Sequence, residues 1–150
     1  MYNFLEDMKS YIKNGINADA DIPKNYGIET YDSYTKGHTP QKTEIQFQII
    51  DNSEVERYNT FDGANVFYIP LQITIFAFQM KLAGIMTSAR ETSIKVADKV
   101  NNLLDALKVV EVNPRVKRVR IMTTTPAMPF NDGDKAYTTA IRCEFWVAKQ

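Results

Sequence analysis

The 150 residues contain one histidine and one cysteine, and this alone restricts what covalent chemistry the chain can do. Nucleophilic catalysis needs a nucleophile held beside a base. His38 falls in an irregular stretch from Gly37 to Pro40. Cys143 falls on the inward face of an alternating strand, where a cysteine acts as a small apolar residue. The two do not read as a catalytic pair. One Cys with one His excludes a Cys/His zinc cluster and an internal disulfide. Asp19 with Asp21, and Asp132 with Asp134 around Gly133, are closely spaced carboxylates. A calcium loop needs a longer ligand series ending in a bidentate acid, so turn and cap duty is the reading for both. Neither a G-x-x-x-x-G-K-[ST] nor a G-x-G-x-x-G phosphate loop occurs. The expectation is therefore no catalytic residue, no cofactor and no metal site.

The residues that stand out are suited to contact instead. Arg115, Lys117, Arg118 and Arg120 form the one basic cluster, and on a strand Arg118 and Arg120 point the same way. Such a pair would line phosphates, form a charged strand face that discourages aggregation, or meet an acidic neighbour. The chain has 18 basic and 18 acidic side chains, which argues against direct nucleic-acid recognition. The balance is not local: residues 1–75 hold 6 basic and 11 acidic groups, residues 76–150 hold 12 and 7. Two readings stay open: two halves that attract within one fold, or acidic and basic faces that meet between subunits. Trp146 falls on the polar side of the last strand, and Phe76 and Phe78 lie on the second face of an apolar one. Tyr26, Tyr31 and Tyr34 interrupt an otherwise irregular stretch, and Phe130 sits in a Pro-rich loop. These residues, with Arg118 and Arg120, are the candidate contacts with a partner chain.

The elements that must position them follow from periodicity. Residues 3–14 predict a helix with Phe4, Leu5, Met8, Tyr11 and Ile12 on one stripe, Asn3 as cap, Glu6 and Asp7 in the first turn, and Gly15 as its stop. Residues 16–42 read as a long irregular connection that packs on a neighbour or on a sheet edge. Residues 43–50 alternate as a half-buried strand, and 54–61 read as a second strand pairing back on it. Residues 66–80 are the most apolar segment, with Pro70 demoting its first part to an edge or bulge and both faces covered toward Phe78. After a connection at 81–87, Ser88 and Glu91 open a helix over 88–108, its stripe formed by Val96, Val100, Leu103 and Leu107 and widened by Ala89, Ile94, Ala97 and Leu104. Residues 109–112 extend toward a short strand. Residues 115–125 predict a strand with Val119, Ile121 and Thr123 on one face, 126–134 a loop, and 135–148 a last strand paired with it as a hairpin.

The 24 Val and Ile against 6 Leu, with 13 Thr and 8 Tyr, lean toward strands. The expected fold is α+β in one domain: a mostly antiparallel or mixed sheet of four or five strands, one long helix on one face, and a short N-terminal helix. If both helices share a face, the other needs cover from the 16–42 segment or from another chain. No run approaches the ~20 apolar residues of a membrane span. The start, Met1 to Asp7, shows neither the basic nor the apolar region of a secretory signal.

In this layout the chain resembles the tail terminator proteins (also called tail completion or minor capsid proteins) of long-tailed bacteriophages, especially those of Gram-positive hosts. The likeness rests on the amphipathic helix Phe4 to Ile12, the TEIQFQIID strand, and the polar stretch through Glu56-Arg57-Tyr58. It continues in the YIPLQITIFAF strand, the SARETSIKVADKVNNLLDAL helix and the final TTAIRCEFWVA strand. The resemblance implies a non-enzymatic virion protein. Such proteins form a ring, usually of six subunits, at the head-proximal end of the tail tube, and assemble in the host cytoplasm. Its partners would be itself, the tail tube protein and the head–tail connector protein, with no membrane. The nine candidate residues would then be subunit or tube contacts. Another neck or head-completion protein, and a small α+β ligand-binding module, are the alternatives.

Overall fold

The computed structural model describes residues 2–19, 28–32, 40, 42–50, 57–59, 65–82, 84–107, 116–129 and 135–148. Two long strands organise it. β4 (Asn65–Phe78) and β9 (Ala136–Ala148) pair antiparallel from Val66 opposite Ala148 to Phe78 opposite Ala136. Alternation along each puts Ile69, Leu71, Ile73 and Ile75 beside Phe145, Cys143, Ile141 and Thr139, and all eight are buried. β2 (Glu44–Ile49) adds antiparallel to β4 and brings Ile45 and Phe47 to the same face. β7 (Val116–Thr124) adds antiparallel to β9 with Val119 and Ile121 facing in. β1 (Glu29–Asp32) adds parallel to β2, so the sheet is mixed and the fold is α+β. The strand order is β1-β2-β4-β9-β7. Two short strands, β3 (Arg57–Asn59) on β4 and β8 (Met128–Pro129) on β9, bring the sheet to seven strands among the described residues, above the expected four or five.

Both helices pack on the inner face. α2 (Ala89–Ala106) is capped by Ser88, whose Oγ accepts the Glu91 N–H at 3.2 Å, as its S-x-x-E signature predicts. Its Val96, Ala97, Val100 and Leu104 join one core with Met8, Ile12 and Ile16 of α1 (Tyr2–Asn17) and the inward strand residues. The buried stripe is rotated from the expected one. Leu103 and Leu107 are half-buried, Thr92 and Ser93 are buried, and Ile94 faces outward. The rotation lets the Ser93 hydroxyl hydrogen-bond that of Thr139 on β9, satisfying two buried polar groups together.

α1 departs from expectation at both ends. It already includes Tyr2, so Asn3 is not its cap, and Glu6 and Asp7 lie beyond its first turn. Gly15 does not stop it; the helix runs on to Asn17. The reason is packing. A Cβ on Gly15 would lie 2.5 and 2.7 Å from the two δ-carbons of Leu103, so the missing side chain lets α1 lie against α2. The Tyr11 hydroxyl donates to the Leu103 carbonyl at 2.6 Å, and Lys99 pairs with Asp19 at 3.1 Å.

The other differences have local causes. The irregular 16–42 segment contains β1, which sits on the sheet edge. β3 pairs with β4 rather than back on β2, so β2 and β3 follow one another along the same side of β4. Pro70 creates no edge strand. It sits where the β2 ladder ends at Ile49 opposite Leu71: its carbonyl accepts from Ile50 at 3.0 Å, and the return bond that its missing N–H would have made falls at the end of the ladder, where it costs least. The 81–87 connection holds a small hairpin of β5 (Lys81–Leu82) and β6 (Ile85–Met86), turned by Gly84 at φ 83. β7 carries bulges between Val116 and Arg118 and between Ile121 and Thr123. The second moves Thr123 off the Val119–Ile121 face to lie opposite Arg142. The 126–134 loop contains β8, and 109–112 lie outside the described residues.

Replacing Gly15 by Val should destabilise the fold by about 1–3 kcal/mol through overpacking. Chemical denaturation checks this, and adding Leu103→Ala should recover part of the loss.

Candidate interaction surface

The inner face of the sheet is filled by both helices; among the described residues the outer face carries none. Residues opposite one another in a ladder share a face, so the register assigns it residue by residue. Toward one end Tyr68 lies opposite Trp146, and Trp146 opposite Arg118; next come Pro70, Glu144 and Arg120. A polar band follows: Gln48, Gln72, Arg142 and Thr123, then Tyr31, Gln46, Thr74 and Ala140. At the far end lie Glu44, Phe76, Thr138 and Met128, then Phe78 and Ala136.

The first end is held by polar and aromatic contacts. The Tyr68 and Trp146 rings lie 5.5 Å apart at 52°, and the Arg118 guanidinium carbon sits 4.9 Å from the Trp146 ring centroid. A cation over an aromatic face contributes about 0.5–1 kcal/mol at an exposed site. Glu144 accepts the Tyr68 hydroxyl, and its second oxygen lies 3.9 Å from an Arg120 guanidinium nitrogen. Arg120 is 60 % exposed in its side chain and Glu144 only 12 %, so the pair anchors the carboxylate and leaves the arginine reaching outward. In the middle band Arg142 Nε donates to Gln72 at 3.3 Å, and Gln72 donates to Thr74 at 3.3 Å.

Of the nine residues singled out from sequence, Tyr31, Phe76, Phe78, Arg118, Arg120 and Trp146 all lie on this one outer face. Tyr31, Phe76, Phe78 and Trp146 are half-buried, while both arginines are exposed. The expected two-sided cover near Phe78 is thus partial. Tyr26, Tyr34 and Phe130 lie outside the described residues. Tyr68, Glu144 and Met128 were missed. Tyr68 and Glu144 stand on the outward side of their strands by alternation, but only the register joins them to Trp146 and Arg120. Met128 is 56 % exposed on a two-residue strand too short to show a period.

The residues considered for covalent chemistry are placed otherwise. Cys143 is buried on the inner face, its Sγ 3.6 Å from the Leu71 carbonyl oxygen. Burial, aided by the Glu144 charge, pushes its thiol from 9.0 up to about 12, which suppresses the reactive thiolate. Asp19 is engaged by Lys99, while His38, Asp21, Asp132 and Asp134 lie outside the described residues. Among the described residues no group of three His, Cys, Asp or Glu is placed to hold a metal, and no helix is long and apolar enough to cross a membrane.

No family model matches the chain, and no curated protein matches it. Solved structures do. A chain of the virion of a native gene transfer agent particle aligns over 94 % of this chain and 94 % of its own, with TM-score 0.58 and 15 % identity. The gp17 protein of bacteriophage SPP1 aligns over 95 % and 89 %, with TM-score 0.46 and 11 % identity. At 15 % identity the first likeness establishes a shared fold along nearly the whole chain.

A thiol reagent should label Cys143 only on unfolding. The sign of its pH effect follows from the raised value. The neutral thiol's contribution is whole below about pH 9 and is lost as pH rises toward 12. The stability of the native chain against denaturant should therefore fall more steeply over that window than that of Cys143→Ala.

Proposed function

We propose that the chain is a structural virion protein of the bacteriophage type, acting as a tail terminator. In this reading several copies, six by resemblance, close into a ring on the head-proximal end of the tail tube, stop its growth and present a surface to the head connector. The observation that carries it is the end-to-end fold match with a chain of the gene transfer agent virion. The residue-level resemblance of the helix and strand segments to tail terminators supports the finer assignment. The outer face adds a physical reason: Trp, Tyr and Arg gathered on one half-buried sheet surface are the side chains that dominate protein contacts. The partners are then other copies, the tube protein and the connector protein. The role is non-enzymatic and involves neither a membrane nor direct recognition of nucleic acid.

Negative-stain electron microscopy of the purified chain, alone and mixed with tail tubes, tests this. Rings with a central hole, or caps on one tube end, are expected and would give the symmetry. A chain that forms no rings and leaves tubes uncapped would overturn the assignment. Trp146 is the single tryptophan, so its fluorescence reads the outer face directly. Assembly should reduce its quenching by acrylamide.

A further inference from the structure

Among the described residues, one end of the outer sheet face and one stripe of α2 expose charges of opposite sign. Toward one end the outer sheet face presents Arg118, Arg120 and Arg142, all exposed, with Glu144 among them, while Glu44, buried, and Glu29, paired with Lys13, lie at the far end of the same face. The solvent side of α2 presents Glu91, Ile94, Asp98, Asn102 and Asp105, also all exposed. These five fall within one stripe of the 3.6-residue period, with Arg90 and Lys95 flanking it. α2 packs its other side on the inner face, so this acidic stripe and the arginines look out from opposite sides of the molecule. Ile94, 38 % exposed, is an apolar residue standing among the acids.

We propose that copies associate head to tail, with the acidic stripe of α2 in one copy seated on the outer sheet face of the next. The contact covers the sheet face that lacks a helix and places Ile94 against apolar and aromatic side chains. It brings Glu91 and Asp98 toward the arginines. A two-fold pairing of outer faces would instead bring three arginines of one copy against three of another, which like-charge repulsion opposes. The front-to-back contact is heterologous, so it repeats and closes into a ring when the rotation per copy allows. The inference rests on the ring assignment above and deepens it by naming the two surfaces.

Charge exchange tests it. Asp98 and Arg142 are exposed, so Asp98→Lys and Arg142→Glu should keep the native melting curve. Assembly is followed by sedimentation and by electron microscopy with and without tail tubes. Each single variant should weaken assembly about tenfold or more. The chain carrying both substitutions should regain it, because positions 98 and 142 again carry opposite charges. An equimolar mixture of the two single variants should also assemble, since each supplies the face the other needs. Native assembly should weaken as salt is raised. Single variants that assemble like the native chain, or a double variant that stays impaired, would overturn this interface while leaving a ring intact. A native chain that pairs only as a two-fold dimer would overturn it as well. Failure of the native chain to assemble even on tubes would overturn the ring assignment itself, and this inference with it.

Discussion

The structure depends on the antiparallel ladder between β4 and β9. Along the inner face the register sets Ile69, Leu71 and Ile73 opposite Phe145, Cys143 and Ile141, so apolar residues of the two strands meet. Once Ile69, Leu71, Ile73 and Ile75 face the same way as Phe145, Cys143 and Ile141, one side of the sheet must be covered. The burial of those side chains, each contributing about 1.5–3 kcal/mol, is what draws both helices to that side. A slip of one residue would turn the core outward, and the Pro70 position, the Ser93–Thr139 hydrogen bond and the Cys143 burial would all be lost together.

The same constraint creates the outer face. With both helices committed inward, the other side of the sheet keeps Tyr68, Trp146 and Glu144 half-buried and the three arginines exposed. They are ordered by contacts among themselves. Such a surface is preorganised, so little side-chain freedom remains to be lost when something docks on it.

Much of this was readable in the residues, and the division has a physical basis. The strands at 44–49, 65–78 and 136–148 show a period of two because one face is buried and the other is not. α2 announces itself by Ser88, Glu91 and its apolar spacing. Six of the candidate contact residues proved to share a face because strand alternation sorts residues by side. What stayed hidden depends on distant partners. Gly15 looks like a helix stop until Leu103 is seen against it. Ile94 looks like core until Ser93 takes the inward position to meet Thr139. The β7 bulge that turns Thr123, the choice of β4 by β3, and the parallel addition of β1 are decisions of pairing, which no local pattern records.

The long reach of the central ladder also bears on how the chain folds. β4 is made before α2, β7 and β9, yet its main partner is β9, with Val66 pairing as far along as Ala148. During synthesis the most apolar segment therefore leaves the ribosome without the strand that will shield it. Loop-closure entropy must be met before that pairing returns any energy, so folding is slow relative to a helical bundle. In the interval the chain exposes a strand prone to sticking to its neighbours. Demand for chaperone protection in a crowded, fast-translating cell is a cost inherent in placing the two halves of the core ladder at such distance along one chain.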